Sequence, residues 1–199
     1  MISLQIEQGS PEWFSAKAGK PSASSFDKII TTKGEPSKSA QKYMFQLAGE
    51  AIAGLKEETY QNATMQRGIE LEEEARQFYE MVKDCKVEQI GLCYPNDKKR
   101  YLCSPDGLVG KDGLIEIKCP LIATQVGYLL DNVLPTEYFQ QVQGQLLVTG
   151  RKWCDFVSYY PGLKPLIVRI TPEKEFIKKL EAELEKFCVE LETTIRKIT

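Results

Sequence analysis

The hydrophobic period changes along this chain in a set order of helix, helix, helix, helix, strand, strand, strand, helix, strand, strand, helix. That order predicts a mixed α/β fold, an α/β (mixed sheet) class in which a small central β-sheet is flanked by helices. Ser10 and Pro11 read as cap and first position of a helix carrying Trp13 and Phe14 inward. Ser24 or Ser25 then caps a short helix through Phe26, Ile29 and Ile30, and Ser39 to Gly54 forms a third. Leu71, Ala75, Phe78 and Val82 space a fourth over Met65 to Val82. Strands are expected over Val87–Tyr94, Tyr101–Val109, Leu114–Cys119, Trp153–Tyr160 and Leu166–Ile170, with a helix over Glu137–Thr149. Pro172 opens a long C-terminal helix whose stripe is Phe176, Leu180, Leu184, Phe187, Leu191, Ile195 and Ile198.

With 199 residues and neither an internal repeat nor a low-complexity linker, residues 1–199 are expected to form a single domain. Lys plus Arg number 26 against 28 acids, so no overall basic charge advertises nucleic-acid binding, and any such contact must be local. The stretch from Ser15 to Lys42 is the place for it, with six lysines against Asp27 and Glu35. The absence of histidine excludes Ser-His-Asp triads, imidazole zinc sites and histidine general bases, which leaves carboxylates, lysine or metals for hydrolysis. Six cysteines without a C-x-x-C argue against a zinc ribbon or disulfide framework and suit a reducing cytoplasm. The N-terminal residues lack a signal-peptide pattern, and no apolar run approaches the ~20 residues a bilayer span needs, so a cytoplasmic protein with no membrane partner is expected.

In Leu114–Cys119 the alternation places Glu116 and Lys118 on one face and Ile115 and Ile117 on the other. If Lys111-Asp112-Gly113 is a three-residue hairpin loop with Gly113 left-handed, Asp106 of Ser104-Pro105-Asp106-Gly107 falls opposite Lys118, on the face of Glu116. In the acidic helix, Glu72 lies at the border of the buried face, while Glu70, Glu73 and Glu74 point away. In the 137–149 helix, Phe139, Val142 and Leu146 set the buried face; Gln143 falls on it, Gln140 is marginal, and Gln141 and Gln145 face out. Three carboxylates beside one lysine make an oxygen-rich site for Mg²⁺ or Mn²⁺, suited to phosphodiester hydrolysis. A carboxylate-pair glycosidase stays open, although it gives Lys118 no role.

Asp106 followed by Glu116-Ile117-Lys118 resembles the PD-(D/E)xK nuclease superfamily, with its restriction-endonuclease-like core. Over residues 8 to 160 the chain resembles, more specifically, the phage lambda exonuclease and YqaJ-like viral recombinase family. The resemblance rests on Gln8–Trp13, Lys17–Ser24, Arg67–Glu72, Ser104–Leu108, Glu116–Pro120 and Tyr138–Gln145, in the family's order. It implies that Asp106 and Glu116 bind Mg²⁺ with the Ile117 carbonyl, that Glu72 completes the site, that Lys118 serves the attacking water and that Gln143 orients the site or the water. It further implies a pocket for a terminal 5′ phosphate at Lys17, Ser24 and Ser104, with Lys17 standing where the family has an arginine.

The activity so implied is 5′→3′ digestion of one strand at double-stranded DNA ends, leaving a 3′ single strand for recombination. A homotrimeric ring, a single-strand annealing protein as partner and a phage or prophage gene in a bacterial host accompany that reading. The alternatives are a monomeric endonuclease or single-strand nuclease of the same superfamily, and a non-catalytic DNA-end-binding recombination protein. Cysteine spacing disfavours an iron–sulfur cluster.

Overall fold

The computed structural model describes residues 1–55 and 63–199. Its elements are β1 (Ile2–Leu4), α1 (Pro11–Lys17), a 3₁₀ segment (Ala23–Lys28), α2 (Ala40–Ala53) and α3 (Ala63–Lys83). Then follow β2 (Val87–Glu88), β3 (Leu92–Tyr94), β4 (Gly107–Val109), β5 (Gly113–Lys118) and α4 (Ile122–Asp131). The chain ends with α5 (Phe139–Thr149), β6 (Trp153–Ser158), β7 (Leu166–Ile170) and α6 (Lys174–Ile198). A five-stranded sheet runs β2-β4-β5-β6-β7, and β1 pairs separately with β3. Only β5 and β6 are parallel within the larger sheet, because α4 and α5 make the crossover between them.

The sheet is the middle layer of three. On one face, Ala75 and Tyr79 of α3 pack against Ile115, Ile117 and Val157. On the other, Leu114 and Cys154 meet Val142 and Leu146 of α5, and that core continues into α2 and α6 through Leu47, Leu180, Leu184 and Phe187. Each buried Leu, Ile, Val or Phe among them contributes about 1.5–3 kcal/mol relative to exposure. Ser10 caps α1 as its sequence predicts, its Oγ accepting the Trp13 N–H at 3.2 Å, with Pro11 in the first turn.

Several details differ from the sequence reading. Helix α4 and strand β1 were not anticipated. The apolar positions of α4, Ile122, Val126 and Leu130, are largely exposed, so its stripe does not mark a core face. The two strands expected over 87–109 shrink to β2, β3 and β4, and Tyr101–Cys103 is tied by isolated bridges, Cys93 to Cys103 and Ser22 to Leu102. Ile198 lies on the α6 stripe but is exposed, about one turn beyond Ile195, the last residue of the stripe that packs against the core. The β4–β5 connection is Gly110-Lys111-Asp112, with Gly110 the left-handed residue (φ +53°) and Val109 opposite Gly113. The register is thus two residues from the expected one, and because side chains alternate with period two, the shift keeps Asp106 on the face of Glu116.

Candidate active site

Asp106 sits one step past the β4 ladder, where Gly107 faces Ile115. Its N–H donates to the Ile115 carbonyl at 3.2 Å, and its Oδ2 accepts the Ile117 N–H at 2.6 Å. The carboxylate is therefore held level with Glu116 rather than with Lys118. Glu116 is 1% exposed and fully engaged. Its Oε1 accepts from Gln141 Nε2 at 2.5 Å and from the Lys118 ammonium, and its Oε2 accepts from Gln145 Nε2 at 2.5 Å. The Lys118 ammonium lies 5.3 Å from the centroid of Tyr138, a ring stacked on Phe156.

These groups charge one another. Burial, and then the negative charges of Glu116 and Glu72, push the Asp106 carboxyl well above the usual range. Burial works to strip the Lys118 proton, but Glu116 and Asp106 more than offset it, and the lysine's pKa is raised. Lys118 is accordingly an ammonium here, a donor with no lone pair.

Glu72 reaches the same electrostatic neighbourhood from α3. Burial raises its pKa, opposed by Arg76, whose Nη2 donates to Glu72 Oε1 at 2.8 Å. Its charge acts on Asp106, yet its carboxylate is turned onto Arg76, so two carboxylates and the lysine converge where three carboxylates were expected. Glu73 and Glu74 are exposed, as the helical phase requires.

Gln143, expected to orient the site, does not reach it. Gln143 is buried, but its amide donates to the Thr171 carbonyl at 3.1 Å and accepts the Glu173 N–H at 2.9 Å, tying α5 to the start of α6. Gln141 and Gln145, one turn apart and about 200° from Gln143 around the helix, hold Glu116 instead. Helix α5 is buried on almost every side, so its apolar residues do not single out one inward face. A Cβ at Gly144 would stand 2.5 Å from Phe26 Cδ2, which shows how tightly the 3₁₀ segment packs on α5.

One cavity joins this cluster to the expected phosphate pocket, being lined by Lys17, Ser24 and Ser104 together with Asp106, Glu116 and Lys118. Lys17 is 7% exposed, its ammonium 3.7 Å from the Trp13 ring centroid. Ser24 is exposed and within 3.4 Å of Ser22 Oγ. The contributions of Gln141, Gln145, Trp13 and Arg76 escaped the sequence reading; the only signal for the two glutamines was the clustering in Gln140-Gln141-Val142-Gln143-Gly144-Gln145.

Among the described residues no three acidic, cysteine or histidine side chains close on one point. The donor set is nonetheless all hard oxygen. Two carboxylates, with water and substrate phosphate completing the shell, are how Mg²⁺ is usually held. Gln145 Oε1, buried and without a hydrogen-bond partner, adds one more acceptor beside Glu116. The residues present therefore fit a small divalent cation.

A family model for the YqaJ-like viral recombinase domain matches residues 12–152, a span that contains Glu72, Asp106, Glu116, Lys118, Gln141 and Gln145. The fold is similar to that of the alkaline exonuclease of Laribacter hongkongensis, with TM-score 0.86 and 37% identity, covering 95% of this chain and 96% of that one. The similarity extends equally to that enzyme in complex with dAMP. A phage-related exonuclease from Haemophilus somnus 129PT shares the fold at TM-score 0.70 and 17% identity, over 90% of this chain and 96% of that one. A protein of Acanthamoeba polyphaga mimivirus is 26% identical over 202 residues, which cover 93% of this chain but only 35% of that relative's length.

Proposed function

Because the chain belongs to the YqaJ-like viral recombinase domain family, we propose that it is a metal-dependent exonuclease. On this reading it degrades one strand of linear double-stranded DNA 5′→3′ and leaves a 3′ single strand for recombination. The observation that carries the reading is the cavity shared by Asp106, Glu116 and Lys118 with Lys17, Ser24 and Ser104, which places cationic and hydroxyl groups beside a carboxylate–lysine cluster. The complex of the Laribacter hongkongensis exonuclease with dAMP supports it, dAMP being the kind of mononucleotide such digestion releases.

Asp106 and Glu116, with the Ile117 carbonyl and with Glu72 once released from Arg76, would hold Mg²⁺, for which Mn²⁺ can substitute. The bound ion would polarise the scissile phosphate and stabilise the leaving oxygen. Lys118, held as an ammonium by its acidic neighbours, positions water by donating to it. Gln141 and Gln145 hold both Glu116 oxygens in place. Lys17, Ser24 and Ser104 take the terminal phosphate; lysine offers it a point charge without arginine's bidentate fork, which weakens the preference for phosphorylated ends.

Residues 1–199 act as one exonuclease domain on this reading, encoded by phage or prophage and working in a bacterial cytoplasm beside a single-strand annealing protein. The apolar residues that α4 leaves exposed, Ile122, Val126 and Leu130, favour assembly into a homo-oligomer such as a trimeric ring. No described helix is long and apolar enough to cross a membrane.

The test is linear duplex DNA labelled at either the 5′ or the 3′ end, with Mg²⁺ and with EDTA. Loss of the 5′ label first, only with metal, is expected. Activity in chelator, or early loss of the 3′ label, would overturn it. Cleavage of a covalently closed plasmid would favour the endonuclease reading instead.

A further inference from the structure

The phosphate pocket contains a hydrogen-bond arrangement that its proposed role does not explain. The Ser104 hydroxyl donates to the Gly91 carbonyl at 2.6 Å. The Trp13 indole N–H is shared between that carbonyl, at 3.1 Å, and Ser104 Oγ, at 3.2 Å. A serine hydroxyl has one proton. While Gly91 holds it, Ser104 turns only lone pairs toward the cavity, and lone pairs repel a phosphate oxygen.

The Gly91 carbonyl cannot swing aside to release that proton. Gly91 is buried, its N–H donates to the Leu4 carbonyl at 3.2 Å, and the Ile6 carbonyl oxygen would lie 2.3 Å from a Cβ placed on it. A buried carbonyl left bare is costly. The proton can leave only if another donor already reaches the same oxygen, and the indole N–H is such a donor.

We propose that Trp13 is a positioning residue that frees the Ser104 hydroxyl for the terminal 5′ phosphate. As the phosphate enters, the hydroxyl proton turns from Gly91 to a phosphate oxygen, and the indole N–H passes wholly to the Gly91 carbonyl. No covalent bond changes; the Gly91 carbonyl exchanges two donors for one and is never bare, and Ser104 Oγ gives up the indole N–H as its own proton turns to the phosphate. The face of the same ring carries the Lys17 ammonium, 3.7 Å from its centroid, so one side chain prepares two phosphate contacts. The inference rests on the proposed reading of this pocket.

The experiment uses a hairpin duplex with one open end, a fluorophore in its loop, and either a 5′ phosphate or a 5′ hydroxyl. Binding to the full chain is measured by anisotropy in EDTA, without turnover. The wild type is expected to bind the phosphorylated end more tightly. Ser104→Ala should cut that preference about tenfold, the effect of losing one charge-assisted hydrogen bond. Trp13→Phe, which keeps a ring under Lys17 but has no N–H, should cut it similarly. The double variant should show no lower preference than Ser104→Ala alone. A purely structural role would weaken binding to both ends together and leave their ratio intact, which would overturn the proposal, as would a further loss of preference in the double variant.

The two tryptophans allow a check that does not depend on Trp13→Phe folding. With the Trp153 signal identified by Trp153→Phe, the Trp13 indole N–H resonance should move downfield on adding the phosphorylated hairpin, relative to the hydroxyl hairpin. Ser104→Ala should abolish that difference, and a resonance that does not distinguish the hairpins overturns the proposal. A wild type without phosphate preference, unchanged by Lys17→Ala, would refute the pocket itself. A preference that Lys17→Ala reduces but Trp13→Phe leaves intact would refute only the role of Trp13.

Discussion

Oδ2 of Asp106 accepts the main-chain N–H of Ile117 at 2.6 Å, so a carboxylate of the candidate site also serves as a rung of the sheet. Strand β4 begins only at Gly107, and the side chain of the preceding Asp106 takes the place of a further backbone acceptor. Stability and chemistry can be separated at this residue because only one of them needs the charge.

Asp106→Asn keeps an oxygen for the Ile117 N–H and removes the charge. It should lower the rate of DNA hydrolysis at least ~100-fold with little change in thermal stability. Asp106→Ala should lose as much activity and also bare a backbone N–H, at about 1–3 kcal/mol, partly offset by relieved repulsion with Glu116 and Glu72. Initial rates beside thermal unfolding curves check both.

Lys118→Met tests whether the ammonium acts on water or only pairs with Glu116. Turnover should fall ~100-fold or more, while calorimetric titration with Mn²⁺ should show affinity within a few-fold of wild type, because an ammonium is not a metal ligand. An affinity loss equal to that of Asp106→Asn would reassign the lysine to a structural role.

The two buried glutamines of α5 should divide cleanly. Gln145→Leu removes a hydrogen bond to an ionised group, a contact of about 1.5–3 kcal/mol, and should slow hydrolysis roughly tenfold or more by loosening Glu116. Gln143→Leu bares the Thr171 carbonyl and the Glu173 N–H, so it should lower unfolding free energy by about 1–3 kcal/mol and leave the rate constant nearly alone. Urea unfolding and single-turnover rates on the same preparations distinguish them.

On the opposite sheet face, Asp155 is 0% exposed and is held by Arg169 at 2.8 and 2.9 Å and by the Tyr79 hydroxyl at 2.8 Å. Arg169→Met should therefore destabilise the fold by about 3–5 kcal/mol, because it leaves a buried charge without its cation. Tyr79→Phe should cost less, about 1–3 kcal/mol. Denaturant midpoints at constant m-value report both; a larger loss for Tyr79→Phe would show that the ion pair is not the dominant contact.

The strand bearing Glu116 and Lys118 was legible because alternation with two charges on one face admits few other readings, and α3 was legible because Leu71, Ala75 and Phe78 mark a single inward side, although Val82, the fourth residue of the expected stripe, is half exposed near the helix end. Asp106 kept its place through an error in the loop, since a register slip of two residues preserves the face. Helix α5 defeated the same arithmetic. Buried almost all round, it presents Gln141 and Gln145 to Glu116 and Gln143 to the start of α6, and periodicity does not say which buried side meets which neighbour. Helix α4 was missed because a helix whose apolar residues stay exposed looks like an irregular connection when no core is assigned to it. The pairing of Trp13 with Ser104 joins positions 91 residues apart, a distance at which local pattern is silent.

The parallel pairing of β5 with β6 requires the chain to leave the sheet through α4 and return through α5. Asp106, Glu116, Lys118, Gln141 and Gln145 consequently lie on one continuous stretch, residues 106–145, while Trp13, Lys17 and Ser24 lie far upstream. Two residues cross that division, Glu72 lying upstream with the N-terminal group and Ser104 two positions before Asp106. On the proposed reading neither half therefore carries a whole function, and chimeras joined near residue 86 should keep both cleavage and choice of end only where the two parents agree at the contacts of Glu72 and Ser104.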